Sequence, residues 1–369
     1  MLKPRTSPDF VIVIAILCLL TIGVVMVYSA SAAFAYDKYD DAFYFAKRQL
    51  LFAALGVFFM FMVANLHPDV FRKWAKPALI ACFILLIIVL IPGVGILRNG
   101  ARSWLGIGAF SIQPSEFTKL AMIAFLGNLF SKPGYPIEKF ARGFLPGLGI
   151  LGLAFGLIML QPDLGTGTVL FGTGMIIIFA AGARIKHLLG LVLLGIGGFV
   201  GLILAAPYRM ARITAFLDPW QDPLGAGYQI IQSLFAIGPG GLMGMGFGMS
   251  RQKHLYLPEP HTDFIFSIIS EELGFLGSAT VVILFAVLIW RGFRTAILSP
   301  DLFTSLVATG VTSMLMIQSV INIGVVSGVF PVTGVTLPFL SYGGSSLTLT
   351  LIAVGILLNL SRFCKPSEK

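Results

Sequence analysis

The sequence predicts an all-α polytopic membrane protein with about ten transmembrane helices. Of its 369 residues, 57% are hydrophobic and only 11% are charged, whereas soluble domains are about 45–50% apolar and about 25% charged. The chain also contains ten runs of mostly apolar residues, and a spanning helix needs about 20 such residues. Finally, Lys and Arg gather in alternate links between these runs, which is typical of chains that cross a membrane repeatedly.

The ten apolar runs predict one packed domain over residues 1–369. A basic start precedes the first run, but the run is longer than the apolar part of a signal peptide, so we interpret it as a retained helix. No repeat of fixed period relates the runs, which argues against an inverted-repeat transporter. The runs lie near 10–30, 49–66, 77–93, 115–131, 144–161, 166–182, 187–206, 264–290, 302–325 and 345–361.

The basic residues also predict the orientation of the chain. With the N-terminus in the cytoplasm, 15 of the 25 Lys and Arg residues fall on the cytoplasmic side, as the positive-inside rule requires. Both termini are then cytoplasmic, and two long loops, about 93–114 and 207–263, face outward. The second loop joins helices seven and eight. Because function concentrates in long loops, we expect any chemistry on the outer face.

Several functions are disfavoured by composition. The net charge of +9 is accounted for by cytoplasmic loops, so no nucleic acid partner is expected. The three Cys and four His residues lack metal-ligand spacing, which predicts no metal site built from them and no organic cofactor. The glycines of 238–248 lack the Lys-Ser/Thr ending of a Walker A loop. They either cradle a phosphate or form a flexible loop on the membrane.

The stretch "PEPHTDFIFSIISEELG" (258–274) contains the most informative acids. Asp263 stands where the second outer loop enters helix eight, so it either caps the helix or acts in catalysis. Glu271 and Glu272 lie about 12–14 Å deeper along the axis. Charges at that depth need partners, and we expect at least one of them to pair with a basic or polar group inside the bundle.

Other polar groups also interrupt the apolar runs. In "QPSEFTKLA", Glu116 and Lys119 share a helix face at spacing i, i+3 and can pair, either structurally or as a cavity lining. Asp163 in "QPDLGTG" is a loop cap or a cavity wall. "PVTGVTLPFLSYGGSS", which contains Ser341, cannot be a continuous helix, so its backbone must be buried in protein or line a wet cavity.

The second outer loop also carries basic groups, including Arg209 and Arg212. Arginine presents a planar fork suited to phosphate. These side chains therefore contact either phospholipid headgroups or a pyrophosphate-bearing lipid substrate.

Six stretches together resemble one family, the SEDS proteins of bacterial shape, elongation, division and sporulation, which include RodA, FtsW and SpoVE. The resemblance spans nearly the whole chain in the family's order, and the opening "TSPDF…MVYSASA" is most similar to SpoVE-type members. The stretches are "RSWLGIGAFSIQPSE", "QPDLGTG", "DPLGAGYQIIQS", "LPEPHTDF", "HTDFIFSIISEELG" and "LPFLSYGGSS".

The resemblance implies a ten-helix fold and a peptidoglycan glycosyltransferase that polymerises lipid II at the outer face of the cytoplasmic membrane, for spore cortex or septal wall. The family's essential loop aspartate falls on Asp263, and its helix-four acid and base fall on Glu116 and Lys119. Its "KRQ" arginine falls on Arg48, and its first-loop tryptophan on Trp104. Asp163, Glu271 and Ser341 are expected to bind substrate or shape the cavity.

The resemblance also implies a reaction and its partners. Attack on the growing glycan would invert its anomeric centre and release undecaprenyl pyrophosphate, which Arg48, Arg209, Arg212 or a divalent cation (Mg²⁺ or Mn²⁺) would stabilise. Expected partners are lipid II, the nascent glycan strand, a class B penicillin-binding transpeptidase and membrane lipids. Two alternatives stay open: a lipid II flippase or transporter with Asp263 as gate or proton site, and a scaffold for a partner enzyme.

Overall fold

The computed structural model describes residues 7–98, 101–107, 110–204, 216–225 and 227–364. Helices dominate these residues, and one π-helical turn (Phe140–Phe144) leads directly into the fifth helix. The helices in chain order are α1 (Phe10–Tyr39), α2 (Tyr44–Ala64), α3 (Pro68–Ile88), α4 (Pro114–Phe130), α5 (Leu145–Met159), α6 (Leu164–Ala180), α7 (Ile185–Leu204), α8 (Tyr228–Ile237), α9 (Ile265–Ile297), α10 (Leu302–Val326) and α11 (Gly344–Ser361).

Each of the ten apolar runs coincides with one helix, α1 to α7 or α9 to α11. The remaining helix, α8, lies in the second long loop, 207–263. Six described spans are long and apolar enough to cross a membrane by length and composition: α1, α2, Phe140–Met159, α9, α10 and α11. The prediction of a mostly helical, multi-pass membrane protein is therefore confirmed.

The all-α prediction is wrong for the first outer loop, which folds as a small antiparallel sheet. Its strands, in the order β1-β2-β3, are β1 (Ile96–Arg98), β2 (Ala101–Ile107) and β3 (Phe110–Ile112). Trp104 on β2 lies opposite Ile96, and Leu105 lies opposite Ile112. The segment is too short to span a bilayer, and pairing between strands satisfies its backbone groups without a helix.

The helices pack around α10, whose residues are buried along most of its length. It contacts α4, α6, α9 and α11, while α2 lies along α11 and α1 lies along α9. Small residues allow the closest approach: Gly355 of α11 lies against the main chain of Met60 in α2. Such contacts are common between membrane helices because small side chains let backbones come close together.

The long helix α9 is broken at Gly274, which has a φ of 64°. The glycine-rich segment after α8 runs alongside the break and supplies the backbone partners that the helix lacks there. Non-helical backbone at membrane depth is thereby satisfied within the protein. Four backbone hydrogen bonds join the glycine-rich segment to α9: Met245 N–H to Glu271 O (2.9 Å), Gly246 N–H to Glu272 O (3.1 Å), Phe275 N–H to Gly241 O (2.8 Å) and Leu276 N–H to Leu242 O (3.1 Å).

Replacement of Gly244 by alanine tests this close approach. Gly244 has a φ of +80°, and a Cβ there would collide with the carbonyl oxygen of Glu272. Gly248 has a φ of +79° but open space around its Cβ position. Both Gly244→Ala and Gly248→Ala incur a backbone strain of about 1–2 kcal/mol, and only Gly244→Ala also forces the loop away from α9.

We therefore expect Gly244→Ala to lower the thermal midpoint of the detergent-purified protein by several degrees more than Gly248→Ala. The midpoint is measured as loss of the monodisperse peak in size-exclusion chromatography after heating. Equal midpoints for the two variants would contradict the close approach.

Candidate functional site

Asp263 lies two residues before Ile265, the first residue of α9, and its main chain is held by α10. Its main-chain oxygen accepts a hydrogen bond from the Nδ2 of Asn322 at 2.7 Å, and the same amide donates to Val335 O at 2.7 Å. Asn322 is buried in α10, so one side chain joins α10, the entry to α9 and the link before α11. The sequence reasoning missed Asn322, although an amide inside an apolar run is the kind of residue that marks a polar contact.

Ser341 fixes the residue before Asp263. Its hydroxyl donates to Thr262 O at 2.6 Å and accepts from Leu337 N–H at 2.8 Å. The neighbouring Tyr342 N–H donates to His261 O at 2.8 Å. The hydroxyl of Ser341 is thus buried and engaged within the protein, and its contacts orient the Asp263 segment.

The surroundings of Asp263 make its carboxyl a weak acid. Burial raises its pKa to about 7, and the negative charges of Glu259 and Asp163 act in the same direction. Burial also lowers the pKa of the neighbouring His261 to about 4, against the opposing effect of Glu259. At neutral pH, Asp263 can therefore exchange a proton, while the imidazole beside it is uncharged.

Asp163 has a defined structural role at the start of α6. Its Oδ1 accepts from Thr166 N–H at 3.0 Å, and its Oδ2 accepts from the Nε2 of Gln113 at 2.8 Å. This is the capping role that the sequence left open beside a cavity wall. Because its charge also raises the pKa of Asp263, the cap lies near the candidate site.

Arg48 and a group of aromatic rings adjoin the Asp263 segment. The guanidinium of Arg48 lies 4.3 Å from the ring centroid of Tyr44, and its charge acts on Tyr342. The ring of Phe45 contacts Tyr342 at 4.9 Å and His261 at 4.5 Å between centroids. Burial raises the pKa of Tyr342, with Arg48 opposing the shift. A fixed cation thus stands on the α2 side of the site.

Glu116 and Lys119 form a buried ion pair at the first turns of α4, with 2.7 Å between Nζ and Oε1. The hydroxyl of Ser346 in α11 donates to Oε2 of Glu116 at 3.2 Å. The predicted pairing is confirmed. The acid also lies at a helix N-terminus, which favours negative charge.

Glu271 and Glu272 are each only 1% exposed. Glu272 lies 2.8 Å from the ammonium of Lys253, so the expected partner for a deep acid is confirmed. Glu271 accepts hydrogen bonds from the hydroxyl of Ser250 and from Arg251 N–H. Its contacts are thus with the glycine-rich segment.

Three other residues were predicted to bind substrate or line the cavity: Trp104, Arg209 and Arg212. Trp104 is partly exposed in β2, and its neighbour Ser103 donates to Gln161 O at 3.4 Å, which ties the sheet to the link before α6. Arg209 and Arg212 lie outside the described residues.

A divalent cation has no protein-built site among the described residues. No three or more His, Cys, Asp and Glu side chains are grouped there to hold a metal. Asp163 is occupied by Gln113 and Thr166, and Glu259 accepts from the hydroxyl of Thr262. The described side chains therefore do not form a complete protein-built ligand set for Mg²⁺ or Mn²⁺.

Comparison with known proteins agrees with these features. A family model described as "Cell cycle protein", FtsW/RodA/SpoVE, matches residues 10–366. Stage V sporulation protein E of Bacillus subtilis (strain 168) is 62% identical over 99% of this chain and 100% of that protein. A probable peptidoglycan glycosyltransferase FtsW of Geobacter sp. (strain M18) is 42% identical over 96% of each chain.

Solved structures give the same answer for the fold. A chain from a peptidoglycan synthase complex that coordinates polymerization and crosslinking superposes with a TM-score of 0.80, at 31% identity, over 96% of this chain and 98% of that one. The rod shape determining protein RodA of Thermus thermophilus superposes with a TM-score of 0.71, at 30% identity, over 96% and 97%. The chain therefore belongs to the FtsW/RodA/SpoVE family of membrane proteins.

Proposed function

We propose that this protein is a peptidoglycan glycosyltransferase that polymerises lipid II into glycan strands, with Asp263 as its catalytic base. The observation that carries the proposal is Asp263, whose main chain is held next to α9 by Asn322 of α10 and whose carboxyl has its pKa raised to about 7 by burial. A general base works best when its pKa lies near the operating pH.

The reaction needs one base and one good leaving group. Asp263 removes the proton of the GlcNAc 4-hydroxyl of lipid II while that oxygen forms a bond to C1 of the growing glycan. The bond from C1 to the undecaprenyl pyrophosphate oxygen breaks, and the anomeric centre inverts. Pyrophosphate already leaves readily, so the second carboxylic acid of glycoside hydrolysis is not required.

Arg48 is the described cation best placed to stabilise the departing pyrophosphate. Its charge acts on Tyr342, whose N–H bonds to the main-chain oxygen of His261 near Asp263, and its planar fork suits phosphate oxygens. Arg209 and Arg212 belong to the outer loop on the same side in the predicted topology and would add to this charge. A Mg²⁺ or Mn²⁺ ion held mainly by substrate phosphates stays a prediction.

The topology follows from the sequence. We propose ten membrane-spanning helices in a single domain, α1 to α7 and α9 to α11, with both termini in the cytoplasm and Asp263 at the outer face. The outward position suits lipid II, whose sugars are polymerised outside the cytoplasm. The proposed reaction also requires no ATP, which is confined to the cytoplasm.

The partners and the cellular process are proposed by similarity. The solved complex combines polymerization with crosslinking, which supports a class B penicillin-binding transpeptidase as the partner here. The identity to Stage V sporulation protein E supports a role in sporulation, in spore cortex or septal wall.

Replacement of Asp263 by asparagine tests the proposed base. We expect at least a 10²-fold loss of polymerisation because base catalysis typically contributes 10²–10⁴-fold. The measurement is glycan-chain length from labelled lipid II, with the purified protein and its transpeptidase partner. Asp218→Asn is the matched control, since Asp218 lies in the same loop and its side chain accepts hydrogen bonds from its close neighbours Trp220 and Gln221. Wild-type rate in Asp263→Asn would exclude the base, and lipid II crossing vesicles without any chains would favour the flippase.

The pH dependence of the rate tests the same carboxyl. A base must be deprotonated, and the pKa of Asp263 is about 7, so we expect the rate to rise with pH through about 7 and then level off. Glu259→Gln removes a negative charge that raises this pKa. We therefore expect its rate profile to move to lower pH with the plateau retained, as measured by initial rates between pH 5.5 and 9. A midpoint near 4 in the wild type would contradict the buried base.

The Glu116–Lys119 pair can be tested by single and double replacement. Glu116→Gln or Lys119→Met leaves one buried charge unpaired, a loss of about 3–5 kcal/mol, and we expect a clear fall in thermal midpoint. The double variant should recover the midpoint but not the polymerisation rate, because the pair lines the substrate cavity in this proposal. Full activity in the double variant would assign the pair a purely structural role.

A further inference from the structure

A second buried ion pair joins the glycine loop, defined here as residues 240–253, to α9. The Nζ of Lys253 lies 2.8 Å from Oε1 of Glu272, and it also donates to the hydroxyl of Ser29 in α1 at 3.1 Å. The side chains of Lys253 and Glu272 are 7% and 0% exposed. Three parts of the chain, α1, the glycine loop and α9, therefore meet at one pair of charges.

Further hydrogen bonds fasten the glycine loop to the two acids. The carboxylates accept from loop groups directly before Lys253, so the loop is held along its backbone as well as by the ion pair. Hydrogen bonds to a charged acceptor are stronger than neutral ones. The donors are Gly248 N–H (3.0 Å) and Ser250 N–H (3.3 Å) to Glu272, and Arg251 N–H (2.8 Å) and the Ser250 hydroxyl to Glu271.

This ion pair joins the two ends of the segment 253–272, which contains Asp263. Lys253 and Glu272 are 19 positions apart, and Asp263 lies about midway between them. On one side of Asp263, the first half of α9 leads rigidly to Glu272. On the other side, residues 254–262 have no helix or strand, so their path depends on where Lys253 is held.

Contacts in the middle of residues 254–262 also depend on the position of Lys253. The backbone of Leu257 donates to Gln252 O at 2.9 Å, and Leu257 is 1% exposed. The hydroxyl of Tyr228 in α8 donates to Tyr256 O at 2.7 Å. A displacement of Lys253 would therefore pass along residues 254–262 toward Asp263.

We propose that Lys253 and Glu272 are positioning residues for the polymerisation reaction: their buried ion pair holds the segment before Asp263 so that its carboxylate meets the acceptor hydroxyl. This inference rests on the proposed function of Asp263 and adds a second, distant pair of residues to it. Neither side chain touches the substrate. They act through the path of residues 254–262.

Loss of the pair has two expected effects. A misplacement of about 1 Å can reduce a rate by about 10²-fold. Looser packing also lets water reach Asp263, which moves its pKa toward the ordinary range. The groups that face Asp263 are Glu259 on the same segment and Asp163 from the link before α6. Both acids keep their charge when Lys253 is replaced, and Glu259 moves together with residues 254–262.

The experiment compares turnover and the pH–rate midpoint in Lys253→Met, in Lys253→Arg and in the double variant Lys253→Met, Glu272→Gln. We expect Lys253→Met to lower kcat at least about tenfold, with a midpoint at least about half a unit more acidic. Lys253→Arg should recover most of the turnover. The double variant, which has no unpaired charge, should recover the thermal midpoint but keep the low kcat and the acidic pH midpoint. Each rate is divided by the amount of folded protein, which is measured by size-exclusion chromatography.

Arg184→Met is the matched control because Arg184 also pairs with a glutamate, Glu138, but both side chains are exposed. Such surface pairs contribute little, and the control should match the wild type. A wild type that makes no glycan chains would refute the proposed function itself. If the wild type is active, two results would overturn the positioning role alone. One is an unshifted pH midpoint in Lys253→Met, and the other is full turnover in the double variant.

Discussion

The structure depends on the need to satisfy every backbone and charged group that lies at membrane depth. The break in α9 at Gly274 removes hydrogen bonds that an unbroken helix would make. The glycine loop replaces them, and it can do so only because Gly240 and Gly244 let it lie against the main chain of α9. The same approach brings the loop amides to Glu271 and Glu272. One local interruption therefore accounts for the glycines, the two deep acids and the buried lysine together.

This arrangement has a consequence for the chemistry at the N-terminal end of α9. A carboxyl in water is ionised at neutral pH and is a weak base. Asp263 is placed where burial and two other acids oppose its ionisation, while its main chain is fixed by Asn322. Position and basicity thus have different main origins: hydrogen bonds to the backbone set the position, and burial together with the surrounding charges sets the basicity.

The sequence predicted the helices well because an apolar run of spanning length is a local property. It also placed Asp263 at a helix start, since an acid directly before an apolar run is visible in the chain. It did not predict the β1–β3 sheet, because strands of three to seven residues carry too little alternation. Nor did it predict that Asn322 would meet Asp263, or that Lys253 would pair with Glu272. These contacts depend on how distant segments pack, and the role of Asp263 came from the family resemblance.

The buried pairs also bear on the choice between an enzyme and a transporter. A flippase that alternates between inward and outward openings must slide or rock helices against each other. In this structure, Glu116 of α4 is bonded to α11 through Ser346, and Glu272 of α9 is bonded to α1 through Ser29. Breaking a buried charge from its partners costs several kcal/mol, so motions that separate these helices are disfavoured. A fixed bundle with its reactive carboxyl at one end favours chemistry at that end over passage through the middle.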